Sequence, residues 1–452
     1  MADRESKDDL ERQASSVHED NKTIQPEPTS TNGGDDEKPA TPPRKPAGPP
    51  MPPPPVDHGI KCWLQVIASF AMWTNSWGIV NSFGVFQTYY EVTNLGGASP
   101  SQISWIGSLQ AFLLLFIGEL SGPIYDSGYF WLLNLVGSFL VCFGMMMTSI
   151  CNEYWQVVLA QGLVVGLGAG CLFLPATAII PQYFVKKRLF ASTIAATGSG
   201  FGGLIFSIMF REMQSSIGFG WTVRVIAFLV LFFGIVSNAF ARNKLPAGKV
   251  RKLYDLEAAK NIPLVLFSIG MFFAFIGLYI PAYYIGTYAL EQGITGDNMA
   301  FYLVAIMQAG SILGRIGPGY AADYTGPMNM TIPAVFISGI LALCWIGIHN
   351  EAGLIVFALL YGASFGLTVA MGAMCVISLL KGDMRRFGTW LGMMMMILAP
   401  GVLIGNPIGG AILRSDGGFT GLQAFAGCMM LVAGVLALIS RGMSAGWGKV
   451  KF

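Results

Sequence analysis

Arg315 stands inside an apolar run that begins near Phe301, in the stretch Gly310-Ser311-Ile312-Leu313-Gly314-Arg315-Ile316-Gly317-Pro318-Gly319. A guanidinium keeps its proton at every physiological pH, so burial cannot neutralise it. At the centre of a bilayer an unpaired charge costs roughly 3 kcal/mol on insertion scales. Such a residue is placed against a counter-charge, a water-filled cavity or a ligand. Its planar fork of donors matches a carboxylate bidentately. Anchoring an anion is therefore the chemistry expected of Arg315; the alternative is a helix-packing ion pair or a side chain that snorkels to the interface. Glu119 is the second charge set in an apolar run, seven residues before Asp126 and on nearly the same helical face. A carboxyl there can hold a proton in one state and release it in another, as a proton-coupled step requires. The alternative is a neutral, hydrogen-bonded acid or one paired across helices.

The elements that must position these residues are read from composition. The chain has 452 residues, 53% hydrophobic and 12% charged, with mean hydropathy +0.57, against about 25% charged residues in soluble domains. Many of the charges fall in the first 61 residues, leaving the remainder almost bare. This is the composition of a polytopic membrane protein. Residues 1–60 are polar and then proline-rich, from Pro42 to Pro55, and cannot bury enough apolar surface to offset their ordering entropy; a disordered tail is expected there. Beyond it, apolar runs of about 20 residues recur, long enough to cross a ~30 Å core. They cover 62–86, 102–124, 130–150, 155–180, 190–210 and 221–241, then 262–286, 300–320, 330–349, 353–379, 388–412 and 421–440. The fold expected is an all-α membrane protein of twelve transmembrane helices in two pseudo-symmetric six-helix bundles. Residues 61–241 form the first bundle, 242–261 a linker, 262–441 the second bundle and 442–452 a tail.

Loop charge orients the chain. The even-numbered loops and the C-terminal tail hold Lys186, Lys187, Arg188, Arg242, Lys244, Lys249, Arg251, Lys252, Lys260, Lys381, Arg385, Arg386, Arg441, Lys449 and Lys451. The odd-numbered loops hold only Arg211 and Arg414. Both termini are expected in the cytoplasm, with the plasma membrane as the site. The seven cysteines are scattered through apolar runs without metal-ligand spacing, and the three histidines lie in the tail or at a helix end. No metal, cofactor, phosphate loop or nucleophile elbow is indicated, and no nucleic-acid partner; an enzyme is not expected.

The halves repeat one another. Gly122-Pro123-Ile124-Tyr125-Asp126 ends the second span, and Gly319-Tyr320-Ala321-Ala322-Asp323 ends the eighth. Gly162 and Gly166 in the fourth span match Gly362 and Gly366 in the tenth. A twelve-span chain with Gly-x-x-x-Asp at these two places resembles the major facilitator superfamily. Tyr183-Phe184-Val185-Lys186-Lys187-Arg188, followed by Gly198-Ser199-Gly200-Phe201-Gly202-Gly203, resembles the fifth-helix signature of its monocarboxylate porters. Asp57-His58-Gly59 before Trp63, with Tyr89-Tyr90-Glu91 ending span one, is similar to fungal members. Three departures stand out: His58 and Lys61 interrupt the family's entry motif, Ser311 lies where many carboxylate carriers have Asp, and Thr193 where the signature has Gly.

The resemblance implies a cavity lined by spans one, four, seven and ten, which offers Asn75, Tyr279, Tyr284 and Tyr361 beside Arg315 as substrate-binding candidates. It implies that Asp126 and Asp323 act as a gate, with Glu119 in coupling or gating. The function expected is a gradient-driven secondary transporter in the lipid bilayer, moving an organic acid or small metabolite by alternating access, as uptake of a monocarboxylate or export of a fungal secondary metabolite. Proton coupling belongs to this expectation. The alternative is a non-transporting nutrient sensor that signals through residues 1–60.

Overall fold

The computed structural model describes residues 59–446 and 448, apart from 96, 186, 245–249, 252 and 381–385. The expected tail thus lies almost wholly outside the described residues. Every regular element among them is helical. Residues 60–94 form α1, which widens into π-turns at Thr74–Gly78 and Tyr90–Asn94. At the first of these, the Thr74 and Ser76 hydroxyls donate to the carbonyls of Phe70 and Met72 at 2.9 and 2.8 Å, a pattern that competes with the helical ladder.

Then follow α2 (Pro100–Asp126), α3 (Phe130–Thr148) and α4 (Tyr154–Gln182). A 53-residue helix, Arg188–Phe240, comes next. At 1.5 Å per residue it would reach about 80 Å, more than twice a ~30 Å core. It turns at Gly218, whose φ of 76° favours glycine, and this divides it into α5 (residues 188–217) and α6 (residues 219–240). The second half comprises α7 (Ile262–Glu291), α8 (Asp297–Thr325), α9 (Pro327–Gly347), α10 (Glu351–Leu379), α11 (Phe387–Arg414) and α12 (Gly418–Ala445). Among the described residues, ten segments are long and apolar enough to cross a membrane. Dividing the longest and adding the interrupted α1 accounts for twelve.

Two boundaries differ from the sequence expectation. The loop expected at 211–220 is helical up to the Gly218 turn, because its polar residues find partners on α8. The Arg211 guanidinium lies over the Phe301 ring at 5.0 Å, and Tyr302 donates to Glu212. Likewise α1 continues past residue 86, where the Glu91 carboxylate accepts from Gln87 Nε2 at 3.0 Å and from Thr287 Oγ1 of α7 at 2.6 Å.

Without a hydrophobic driving force between helices in lipid, close packing and interhelical hydrogen bonds hold the fold. Between α8 and α10 the approach is backbone to backbone. A Cβ at Gly310 or Gly314 would overlap the main chain of Leu359 or Ala363, and one at Gly362 or Gly366 that of Met307 or Ser311. Across the halves, α2 packs along α11 and α5 along α8. Arg188, Arg251, Lys260, Arg386 and Arg441 all fall at one end of the helices, here the basic end. Away from it the halves are tied by Glu91 with Thr287, by Ser101 Oγ donating to the Pro407 carbonyl at 2.9 Å, and by Asn406 Nδ2 donating to Ser108 Oγ at 3.3 Å.

Candidate functional site

A cavity of about 230 Å³ lies between the halves and reaches the basic end. Its inner wall is aromatic: Trp73 and Trp77 of α1, Phe173 of α4 and Phe275 of α7. Trp73 and Trp77 meet Phe173 edge-on, with centroids 5.6 and 6.2 Å apart. Leu115, Val369, Met374, Leu391 and Met395 make the sides, and Arg188, Ser192, Asp126 and Arg251 the basic end. The methionine run 393–396 divides as consecutive helical residues must: Met395 faces the cavity, whereas the Met393 sulfur accepts the Asp255 N–H at 3.4 Å.

Arg315 lies away from that cavity, 0% exposed, between α5, α8 and α10. Its Nε donates to the Gly366 carbonyl at 3.2 Å, and its two terminal nitrogens have no partner. No acid forms an ion pair with it among the described residues. Gly200 of α5 makes the room: a Cβ there would stand 2.8 Å from the Arg315 Nη1. One and two turns earlier on the same face of α8, Ser311 Oγ and Gln308 Oε1 are also buried without partners. The niche is thus a set of desolvated polar groups with unfilled hydrogen-bonding capacity, an arrangement that costs free energy unless something binds there.

The other candidates are distributed around these two places. Tyr279 lies within electrostatic range of Arg315, its hydroxyl unpartnered and its ring stacked on Trp77 at 6.0 Å and 13°. Asn75, Tyr284 and Tyr361 do not line the cavity in this conformation. Asn75 Nδ2 donates to the Val230 carbonyl at 2.8 Å, the Tyr284 hydroxyl to that of Asn406 at 3.1 Å, and the Tyr361 hydroxyl to that of Leu278 at 2.9 Å. Each polar group is held by a main-chain carbonyl of another helix. Spans one, four, seven and ten do contribute to the cavity wall, but through Trp and Phe more than through Tyr.

At the basic end, the Asp126 carboxylate accepts from Arg251 three times: from Nε at 2.5 Å, from Nη2 at 2.8 Å and from the backbone N–H at 3.1 Å. Arg251 also packs against Gly122 of α2 and Gly388 of α11. The connection before α7 is bound further to α11: Trp390 Nε1 donates to Asp255 at 3.2 Å, and Arg386 pairs with Asp255 and Glu257. Nothing in the sequence pointed to Arg251, which counted there only as loop charge. The Asp323 side chain lies outside the described residues. Glu119 is buried against α11, where a Cβ on Gly392 would overlap its carboxyl group, and its Oε1 has no partner.

The family profile of the Major Facilitator Superfamily matches residues 62–386. The MFS-type transporter dbaD of Emericella nidulans is 43% identical over 384 residues, 84% of this chain and 86% of that one. The aspyridones efflux protein apdF of the same organism is 38% identical over 401 residues, covering 87% and 80%. The agnestins efflux protein AgnL12 of Paecilomyces divaricatus is 35% identical over 379 residues, covering 84% and 87%. Among solved structures, the E. coli fucose:proton symporter FucP superposes with a TM-score of 0.63 over 85% of this chain and 99% of that one; at 14% identity the likeness is one of fold. Helical architecture, family profile and relatives agree: this chain is a multi-pass membrane transporter, not an enzyme, and it belongs to the Major Facilitator Superfamily.

Proposed function

We propose that this transporter exports an organic acid, of the kind made in fungal secondary metabolism, by alternating access of the bundles 61–241 and 262–441. The observation that carries the reading is Arg315: fully buried, permanently charged, facing the opposite half of the molecule, with two guanidinium nitrogens unfilled. A carboxylate is the partner that fork geometry fits best. Tyr279 is the aromatic neighbour that would share the anion, with Asn75, Tyr284 and Tyr361 in support. The names of two relatives, efflux proteins for aspyridones and agnestins, favour export and a secondary metabolite as cargo. Monocarboxylate uptake is the sibling reading, since gradients rather than motifs set direction.

Proton coupling is assigned to Glu119, with Asp126 and Asp323 as the gate. The basic end faces the cytoplasm, both termini are cytoplasmic, and the membrane is the plasma membrane. The sensor alternative rests on residues 1–60, and nothing in the described residues favours it. The test is reconstitution into liposomes, with flux of aliphatic acids, aromatic acids and their neutral amides measured at several pH gradients. Acids should move and amides should not. Equal flux of acid and amide would defeat the anion reading.

A further inference from the structure

The cavity holds a second arginine that the transport reading leaves unused. Arg188, the first residue of α5, lines the cavity; its Nε is buried without a partner, and no acid pairs with it among the described residues. Ser192, one turn further along α5, lines the same wall, and its hydroxyl is also buried and unpartnered. Residues four apart share a helix face, so both groups present their free capacity to one place. Asp126 is engaged by Arg251 and forms no ion pair with Arg188. Among the described residues, no acid therefore offsets Arg188 at the basic end of the cavity. Next to it lies the aromatic chamber of Trp73, Trp77, Phe173 and Phe275.

We propose that Arg188 and Ser192 form a loading site for the carboxylate of an aromatic or amphipathic acid, whose ring system occupies the Trp73–Trp77–Phe173–Phe275 chamber. The inference deepens the transport reading and rests on it for the movement of cargo. At about 230 Å³ the cavity is smaller than the ~300 Å³ at which drug-sized pockets begin. It suits a one- or two-ring acid rather than a macrocycle. Trp77 is stacked on Tyr279, which lies within electrostatic range of Arg315. The cargo acid thus meets two arginines in order: Arg188 on entry, and Arg315 once the Trp77–Tyr279 stack parts.

The test uses the full-length protein in nanodiscs, with tryptophan fluorescence reporting the binding of 2-naphthoate and of its neutral isostere 2-naphthamide. Wild type should bind the acid about tenfold more tightly, as one charge-assisted contact implies. Arg188→Gln should bring the acid-to-amide ratio to about one by weakening the acid alone. Arg188→Lys should keep most of the preference, and Arg315→Gln should leave it unchanged. A ratio near one in wild type, or an unchanged ratio in Arg188→Gln, overturns the proposal. Flux of 2-naphthoate through the wild-type protein, measured alongside, separates the two readings. Binding that depends on Arg188 without flux keeps the loading site and sinks the transport reading. Flux whose acid preference depends on Arg315 alone does the opposite.

Discussion

Arg251→Gln removes a contact that sequence reading had passed over. Asp126 receives two guanidinium bonds, at 2.5 and 2.8 Å, and one backbone N–H bond at 3.1 Å. The side chains are 16% and 18% exposed, which places the pair between two limits. Breaking a buried pair by deleting one partner costs about 3–5 kcal/mol, and an exposed pair contributes about 0–1 kcal/mol. A coupling of about 2 kcal/mol follows, or about thirtyfold in an equilibrium constant. Because Arg251 also packs on Gly122 and Gly388, its release loosens the connection before α7 from both α2 and α11. The assay is a double-mutant cycle of Arg251→Gln and Asp126→Asn, read by hydrogen exchange over residues 250–257. Each single variant should raise exchange about thirtyfold, and the double variant should add little more. Independent effects that add to within about 0.5 kcal/mol would refute the coupling.

Further outcomes follow from the same geometry. Gly392→Ala forces a Cβ into the Glu119 carboxyl group and should destabilise the protein by about 1–3 kcal/mol, the usual range for overpacking; in thermal unfolding, adding Glu119→Ala should restore stability. Glu119→Gln should flatten the pH dependence of flux, and an intact profile would leave Glu119 a purely packing residue. Thr287→Val removes the donor to Glu91 between α1 and α7 and should raise hydrogen exchange at that end about tenfold, since bonds to charged groups contribute about 1.5–3 kcal/mol; unchanged exchange there would mean that the contact does not hold the halves together.

The helices were legible because a membrane span is a statement about length and polarity, and runs such as 330–349 or 421–440 leave no other reading. The boundaries that were misplaced lay where polar residues find distant partners: Glu91 on Thr287, and Arg211 and Glu212 against Phe301 and Tyr302. Arg315 was legible as an anomaly of charge in an apolar run. Its surroundings were not, since Gly200, Gly366 and Tyr279 come from three other helices. The bonding of the tyrosines was hidden for a related reason. Spans that are apolar all round give no sign of which face is inward, so the sequence did not show that the Tyr284 and Tyr361 hydroxyls donate to the main-chain carbonyls of Asn406 and Leu278 in this conformation. Arg188 and Arg251 were read only as determinants of topology, because a basic loop is ordinary; only the fold shows that one pairs with Asp126 and the other does not.

The central claim, that Arg315 anchors the acid group of the cargo, is tested most directly by the acid-to-amide ratio of kcat/KM for 2-naphthoate and 2-naphthamide in proteoliposomes, in wild type and in Arg315→Gln. The account predicts that the substitution removes the preference, lowering flux of the acid about a hundredfold while leaving the small flux of the amide unchanged, as loss of a buried bidentate contact of about 3 kcal/mol requires. Acid flux within about twofold of wild type in Arg315→Gln would contradict it, corresponding to less than about 0.5 kcal/mol at the site.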